Sequence, residues 1–158
     1  LMLNAEYPAN ESANIIEQAT QMIAQLGLQN NMTLNTEFLS DAKSLAYLSQ
    51  ADLIVFPYQA TGEAASAAAR YGITVQKPVA TTPLSIFDDI KDVCFQLPGT
   101  DTSNIVAGLQ SLISDIKNNA PEIQEKQQRQ AAWYKAHTYP VIAKRLNNIV
   151  QALVLTRS

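Results

Sequence analysis

Cysteine and histidine are scarce in this sequence, and their scarcity excludes several kinds of site. Among 158 residues there is one cysteine, Cys94, and one histidine, His137. A single cysteine excludes a disulfide framework and is compatible with a reducing compartment. His137 has no Cys, His or Asp neighbours at ligand spacing. We therefore predict no metal site and no bound cofactor.

Charged residues and long apolar runs are also few. Charged residues make up 16% of the chain and the formal net charge is −3, which does not favour nucleic acid or an anionic membrane surface as a partner. The longest apolar runs are far shorter than the ~20 residues of a transmembrane helix. No secretory signal begins the sequence. We predict a cytoplasmic protein without a transmembrane segment.

Short apolar segments alternate with helical stretches along the chain. The apolar segments are residues 1–5, 32–36, 53–56, 78–82 and 93–97. Strands that are apolar on both faces and alternate with helices indicate a parallel sheet covered by helices. For residues 1–120 we predict an α/β fold, with a Rossmann-like, doubly wound parallel sheet of about five strands and helices on both faces. Residues 121–158 are expected to form two C-terminal helices.

The first residues, Leu1-Met2-Leu3, already have the pattern of a buried strand. A polypeptide seldom begins inside its own sheet. We therefore expect this sequence to be a fragment of a longer polypeptide, cut near a domain boundary.

The most informative segment is residues 51–78, ADLIVFPYQATGEAASAAARYGITVQKP. A strand leads to a small-residue turn at Thr61 and Gly62, and then to an alanine-rich helix expected to begin directly after Gly62. A helix N-terminus at the carboxyl end of a parallel strand binds phosphate. We predict that a diphosphate contacts the backbone N–H groups of Gly62, Glu63, Ala64, Ala65 and Ser66. An ordinary strand–helix connection with an acidic first turn fits the same pattern.

Other candidate groups have less distinctive surroundings. Neither GxGxxG, GxxxxGK[ST] nor GxSxG occurs, so the sequence does not support a dinucleotide fingerprint, a P-loop or a nucleophile elbow. Asp88 and Asp89 form either a catalytic carboxylate pair or a solvated helix start. Arg70 either pairs with a neighbouring acid or reaches the sheet edge. Cys94 is expected in the core, and His137 is expected to pack or cap between the last two helices.

Four segments, taken in order, resemble a known family. They are LGL at 26–28, TLNTEFLSD at 33–41, residues 51–89 and FQLPGTD at 95–101. Their order and spacing resemble the C-terminal, nucleotide-sugar-binding domain of retaining GT-B glycosyltransferases, family 4-like (glycosyl transferases group 1). That family includes sucrose and glycogen synthases and bacterial mannosyltransferases. The resemblance implies half of a GT-B fold and a hexosyltransferase-type enzyme of polysaccharide biosynthesis.

The resemblance also implies roles for individual residues. Glu63 falls on the first glutamate of the family's E-x7-E element and is the catalytic candidate. Tyr71 stands where the family has its second glutamate, which binds the ribose hydroxyls. Phe38 and Leu39 match the segment that contacts the nucleobase. A subsite for the diphosphate and the sugar is implied at Thr61, Gly62, Ala64, Ala65 and Ser66.

Two partners follow from the same resemblance. One is a nucleotide-diphosphate sugar donor, and the other is an N-terminal acceptor-binding domain of the same polypeptide. The family domain normally starts with one more strand and helix, which carry a basic pair, before the position of residue 1. The helices of residues 121–158 resemble the tail that returns to the acceptor domain, and we expect them to pack either back on residues 1–120 or towards that domain. We therefore expect the isolated chain to bind donor weakly and to be inactive as a transferase.

Two alternatives remain open at this stage. One is a catalytically degenerate binding or interaction module of the same fold, which Tyr71 in place of the second glutamate favours. The other is an unrelated flavodoxin-like or epimerase-type α/β domain, of which the UDP-sugar epimerase type is the stronger candidate. An epimerase of this kind would be expected to carry more histidines and acids at its strand ends, whereas His137 is the single histidine here.

Overall fold

Strands and helices alternate along the chain in a computed structural model that describes residues 1–3, 12–60 and 62–155. Each strand observed in these ranges falls within one of the predicted apolar segments. The strands are β1 (Met2–Leu3), β2 (Leu34–Asn35), β3 (Ile54–Phe56), β4 (Val79–Thr81) and β5 (Phe95–Gln96). The helices are α1 (Ala13–Gln25), α2 (Asp41–Ser49), α3 (Ala67–Thr74), α4 (Thr102–Lys117), α5 (Pro121–Ala136) and α6 (Tyr139–Leu155).

The described strands pair in parallel, as predicted, and they form two hydrogen-bonded sheets. β1 pairs with β2, and the second sheet has the order β3-β4-β5, in which Ile54 lies opposite Val79. The chain divides into two compact units between Ser44 and Leu45, and each sheet belongs to one unit. The predicted α/β class is confirmed. The apolar pattern locates strands but does not identify their neighbours, so the sequence did not predict the division into two sheets.

Helices cover both faces of the β3-β4-β5 sheet. Successive residues of a strand point to opposite faces, so Ile54 and Val79 lie in one apolar cluster while Val55 and Ala80 face the other. Residues of α3, of α5 and of the segment that follows β4 complete the first cluster, namely Ala69, Ile73, Ile86, Phe87, Ile90 and Trp133. The second cluster is completed by Ile105, Leu109, Leu112, Ile116 and Ile123. This arrangement is doubly wound and explains why the strands are apolar on both faces.

Local features of the chain fix the end of α1 and the start of α4. Gly27, which follows the last turn of α1, has a left-handed φ of 67°, as expected of glycine at this position. The N-cap of α4 is Asp101, whose carboxylate accepts the Asn104 N–H at 3.0 Å. Hydrogen bonds from the Ser103 side chain and from the backbone and side chain of Asn104 lower the pKa of Asp101 to about 2. An ionised acceptor makes the stronger cap.

Cys94 and His137 occupy packing positions, in agreement with the sequence-based expectation. Burial raises the pKa of the Cys94 thiol to about 12, so the side chain stays protonated in the core. The His137 ring stacks on Trp133 with ring centroids 4.1 Å apart, at the junction of α5 and α6. Its Nδ1 lies 2.7 Å from the Trp133 carbonyl oxygen.

The final helix, α6, exposes an apolar stripe to solvent. Its members are spaced so that they share one helical face, and they are Ile142, Leu146, Ile149 and Val150. The helices within the described ranges are all too short or too polar to cross a membrane.

Candidate functional site

The candidate site lies in the connection of residues 57–66, at the carboxyl end of β3. In doubly wound folds ligands bind beyond the carboxyl ends of the strands, where the loops of neighbouring strands meet. The middle of this connection is exposed, and its described members are Gln59, Ala60, Gly62, Glu63, Ala64 and Ala65. Thr61, which the sequence assigns to the site, lies outside the described residues.

The start of helix α3 differs from the prediction. The helix begins at Ala67, four residues later than expected, so Gly62, Glu63 and Ala64 form an exposed loop before it and not its first turn. Ser66 sets this boundary, because its Oγ accepts the Ala69 N–H at 3.2 Å as an N-cap. Ser66 is also 3% exposed. The predicted cradle of helical N–H groups at 62–66 is therefore corrected to a loop that leads into a capped helix.

One end of the loop is tied to the segment that follows β4. The Thr82 hydroxyl donates a hydrogen bond to the Tyr58 carbonyl oxygen at 2.6 Å, and the Thr82 N–H donates to the Phe56 carbonyl oxygen at 3.4 Å. The Tyr58 ring packs against Phe87, with ring centroids 5.3 Å apart. Because Phe87 is fully buried, this end of the loop rests on the core.

The other end of the loop is tied to the same segment through Arg70 on α3. The Arg70 Nη1 donates to the Ser66 carbonyl oxygen at 2.7 Å. Its Nη2 forms an ion pair with Asp89, which follows β4 in the chain. The sequence left the partner of Arg70 open and gave Asp89 a choice of roles. In the structure Arg70 pairs with the acid Asp89. The sequence did not predict its hydrogen bond to the Ser66 carbonyl oxygen.

The space around the loop backbone is open at Gly62, which the sequence assigns to the diphosphate subsite. A Cβ added to Gly62 would meet no atom within 4 Å, so a molecule can approach the backbone there closely. Tyr71, assigned to the ribose, lies on α3 about one turn beyond the N-terminus of the helix and is partly buried. Glu63 and Tyr71 both take part in further interactions within the chain.

The residues assigned to the nucleobase lie in the other unit, in the connection between β2 and α2. Phe38 is 89% exposed, and Leu39 is partly buried. The Asn35 side chain accepts the Glu37 N–H at 2.9 Å and so shapes the backbone just before them. An exposed aromatic ring after the carboxyl end of a parallel strand is a surface on which a base can stack.

Titratable groups of the described residues do not gather into a metal centre. Groups of three or more His, Cys, Asp or Glu side chains that could hold an ion are not found in those ranges. Asp88 and Asp89 are both exposed, and Asp89 is engaged by Arg70. The exposed part of the loop carries backbone N–H groups, small side chains and the Glu63 carboxylate.

The fold has a counterpart among solved structures. It is similar to sucrose-phosphate synthase from Thermosynechococcus elongatus, with a TM-score of 0.72 and 13% sequence identity. The match covers 98% of this chain and 38% of that protein, so the chain spans well under half of its length. Neither a protein-family profile nor a curated protein matches the sequence. The likeness defines the fold class, which is the Rossmann-like half of a GT-B fold.

Proposed function

We propose that this chain is the donor-binding domain of a retaining glycosyltransferase and part of a longer polypeptide. The enzyme would transfer a sugar from a nucleotide-diphosphate donor to a glycan or another acceptor. The observation that carries this proposal is the similarity over 98% of the chain to part of sucrose-phosphate synthase. Its support is the loop after β3, exposed at Gln59, Ala60 and 62–65, at the edge of the sheet where such folds bind ligands.

In this proposal the diphosphate binds at the loop before helix α3. Gly62, Ala64 and Ala65 are small and exposed, so the phosphates can approach the backbone N–H groups closely. Ser66 ends the loop, and Thr61 is assigned to the same subsite. The N-terminus of α3 lies directly behind and carries a partial positive charge. Such charge stabilises the diphosphate that leaves when the anomeric C–O bond breaks, by ~1 kcal/mol or more where the site is partly buried.

Glu63 is assigned to the sugar. Its carboxylate would accept hydrogen bonds from sugar hydroxyls and orient the donor for transfer. This scheme uses no covalent nucleophile. Phe38 and Leu39 are assigned to the nucleobase, where the exposed ring of Phe38 offers a stacking surface. Tyr71 is assigned to the ribose, with its hydroxyl in place of a carboxylate.

A charge-reversal experiment tests the diphosphate subsite. In isothermal titration of the full-length polypeptide with UDP and GDP, Ala65→Glu should weaken binding about tenfold or more, because it puts a carboxylate beside the phosphates. Ala132→Glu is the matched control, since it adds the same charge at an exposed position of α5. Equal affinities in the two variants would refute the assignment of the loop to the diphosphate.

The apolar stripe on α6 is proposed to pack against an N-terminal acceptor-binding domain of the same polypeptide. Seven large apolar side chains lie exposed along this helix, among them the four of the stripe, and soluble helices normally bury such a face. The solved relative extends well beyond the part matched by this chain, so there is protein to which such a helix can dock. The isolated chain would accordingly bind donor weakly and transfer no sugar.

This docking predicts different effects of Leu146→Glu in the chain and in the longer protein. In the isolated chain the free energy of unfolding should change by less than about 0.5 kcal/mol, because Leu146 is exposed. In the full-length polypeptide the thermal midpoint and the transferase activity should both fall. Asn148→Glu adds the same charge on the opposite face of α6 and should alter neither quantity. Equal behaviour of the two variants in the longer protein would argue against the docking.

A second candidate function is a binding module of the same fold that has lost catalysis. The observation in its favour is Tyr71, which stands where the family has its second glutamate. Such a module would still bind the nucleotide, so the titration above does not separate the two candidates. Removal of the Glu63 carboxylate separates them, because it should lower the activity of an enzyme and have no such effect on a module without catalysis.

A further inference from the structure

We propose that Arg70 is a positioning residue that holds the donor-binding loop in its binding shape. This inference rests on the proposed function of the loop and adds to it a residue that does not touch the ligand. The Arg70 guanidinium bridges two points, the Ser66 carbonyl oxygen at 2.7 Å and the Asp89 carboxylate. It therefore links the end of the loop after β3 to the segment after β4.

The loop is held at both of its ends by that same segment. Thr82 binds the Tyr58 carbonyl oxygen at the first end, and Asp89 holds the second end through Arg70. β3 and β4 are hydrogen-bonded neighbours, so the anchoring segment is itself fixed by the sheet. The described residues between these anchors, Gln59, Ala60 and 62–65, are exposed, so fixing the two ends of the loop restricts the conformations that they can adopt.

Anchoring of this kind matters because a loop that is already ordered loses less conformational entropy when it binds. The first anchor rests on the buried core, through Tyr58 and Phe87. The second anchor is partly exposed, with side-chain exposures of 33% for Arg70 and 51% for Asp89. Arg70 is therefore the part of the arrangement that a substitution can remove without opening the core.

The geometry favours arginine over lysine at this position. Two different nitrogens of one planar guanidinium serve two acceptors at the same time. A lysine ammonium on a flexible stem does not reproduce that fork. Arg70→Lys should therefore keep the charge but restore only part of the ordering.

The test combines amide hydrogen exchange with nucleotide titration in the full-length polypeptide. In Arg70→Ala the amides of residues 59–65 should exchange faster without ligand, and the affinity for UDP or GDP should fall about tenfold. Asp89→Asn should have a smaller effect of the same kind. Arg70→Ala combined with Asp89→Asn should be no worse than Arg70→Ala alone, because the two act through one contact. Arg129→Ala removes the same charge from an exposed position on α5 and is the control.

The possible results separate this inference from the function on which it rests. Unchanged exchange of residues 59–65 in Arg70→Ala would overturn the positioning role. Faster exchange with unchanged affinity would also overturn it, provided that Ala65→Glu does weaken binding. If exchange rises but neither Arg70→Ala nor Ala65→Glu alters affinity, the diphosphate assignment fails and the anchoring of the loop by Arg70 stands. Partial recovery of both the exchange rates and the affinity in Arg70→Lys would support the role. An effect on overall stability alone would raise exchange throughout the chain and not only in residues 59–65.

Discussion

Glu63→Ala in the full-length polypeptide is expected to lower kcat/KM about 100-fold. The proposed role of the carboxylate is to accept hydrogen bonds from sugar hydroxyls, and hydrogen bonds to a charged group contribute about 1.5–3 kcal/mol. Loss of that amount of transition-state binding corresponds to a rate effect of this order. Glu63 is exposed, so the substitution is not expected to disturb the fold. Steady-state transfer rates with a nucleotide-sugar donor provide the measurement.

A matched variant makes the result interpretable. Glu125→Ala removes the same side chain from an exposed position on α5 and should leave kcat/KM unchanged. Glu63→Gln keeps the shape while removing the charge, so its rate should lie between those of the wild type and Glu63→Ala. Full activity of Glu63→Ala would contradict a catalytic role. Measurable nucleotide binding without transfer in the wild type would favour the non-catalytic module.

Phe87→Ala is expected to lower the free energy of unfolding by about 3–5 kcal/mol, the range for deletion of a large buried aromatic ring. Phe87 is fully buried in the cluster between the sheet, α3 and α5. Its ring also supports Tyr58 at the start of the loop. Urea denaturation of the purified chain measures the effect, with fluorescence from Trp133, which packs against the same cluster.

The control for this experiment is the same substitution at an exposed site. Phe38 is 89% exposed, so Phe38→Ala should change the free energy of unfolding by no more than about 0.5 kcal/mol. The same variant should nevertheless weaken nucleotide binding if the ring stacks on the base. Equal losses of stability at Phe87 and Phe38 would contradict the described packing.

The sequence was a good guide to the elements of the fold. Each predicted strand contains an observed one, because side chains that must be buried on both faces leave a short, continuous apolar run. The start of α3 was placed too early, because the alanine-rich pattern continues through residues 64–69 and gives no boundary. The cap of Ser66 supplies the boundary instead.

The candidate site was predicted in part. The sequence located the connection after β3, since small residues between a strand and a helix are a local signal, but it predicted a short turn where the structure has a longer exposed loop. It did not identify the anchors of that loop. Arg70 and Asp89 are 19 positions apart in the chain, and Ser66 enters the contact through its backbone carbonyl, which no residue pattern reveals.

The amino-acid sequence by itself determined the α/β class, the order of strands and helices and the position of an exposed loop before an alanine-rich helix. These features depend on residues that are close in the sequence, through the spacing of apolar side chains, the residue types in turns and the helix propensities. The tertiary structure alone decided which strands pair, where the helix begins and which acid Arg70 meets. Those outcomes depend on segments brought together by the pairing of β3 with β4, and contacts between distant segments leave no pattern in a single sequence.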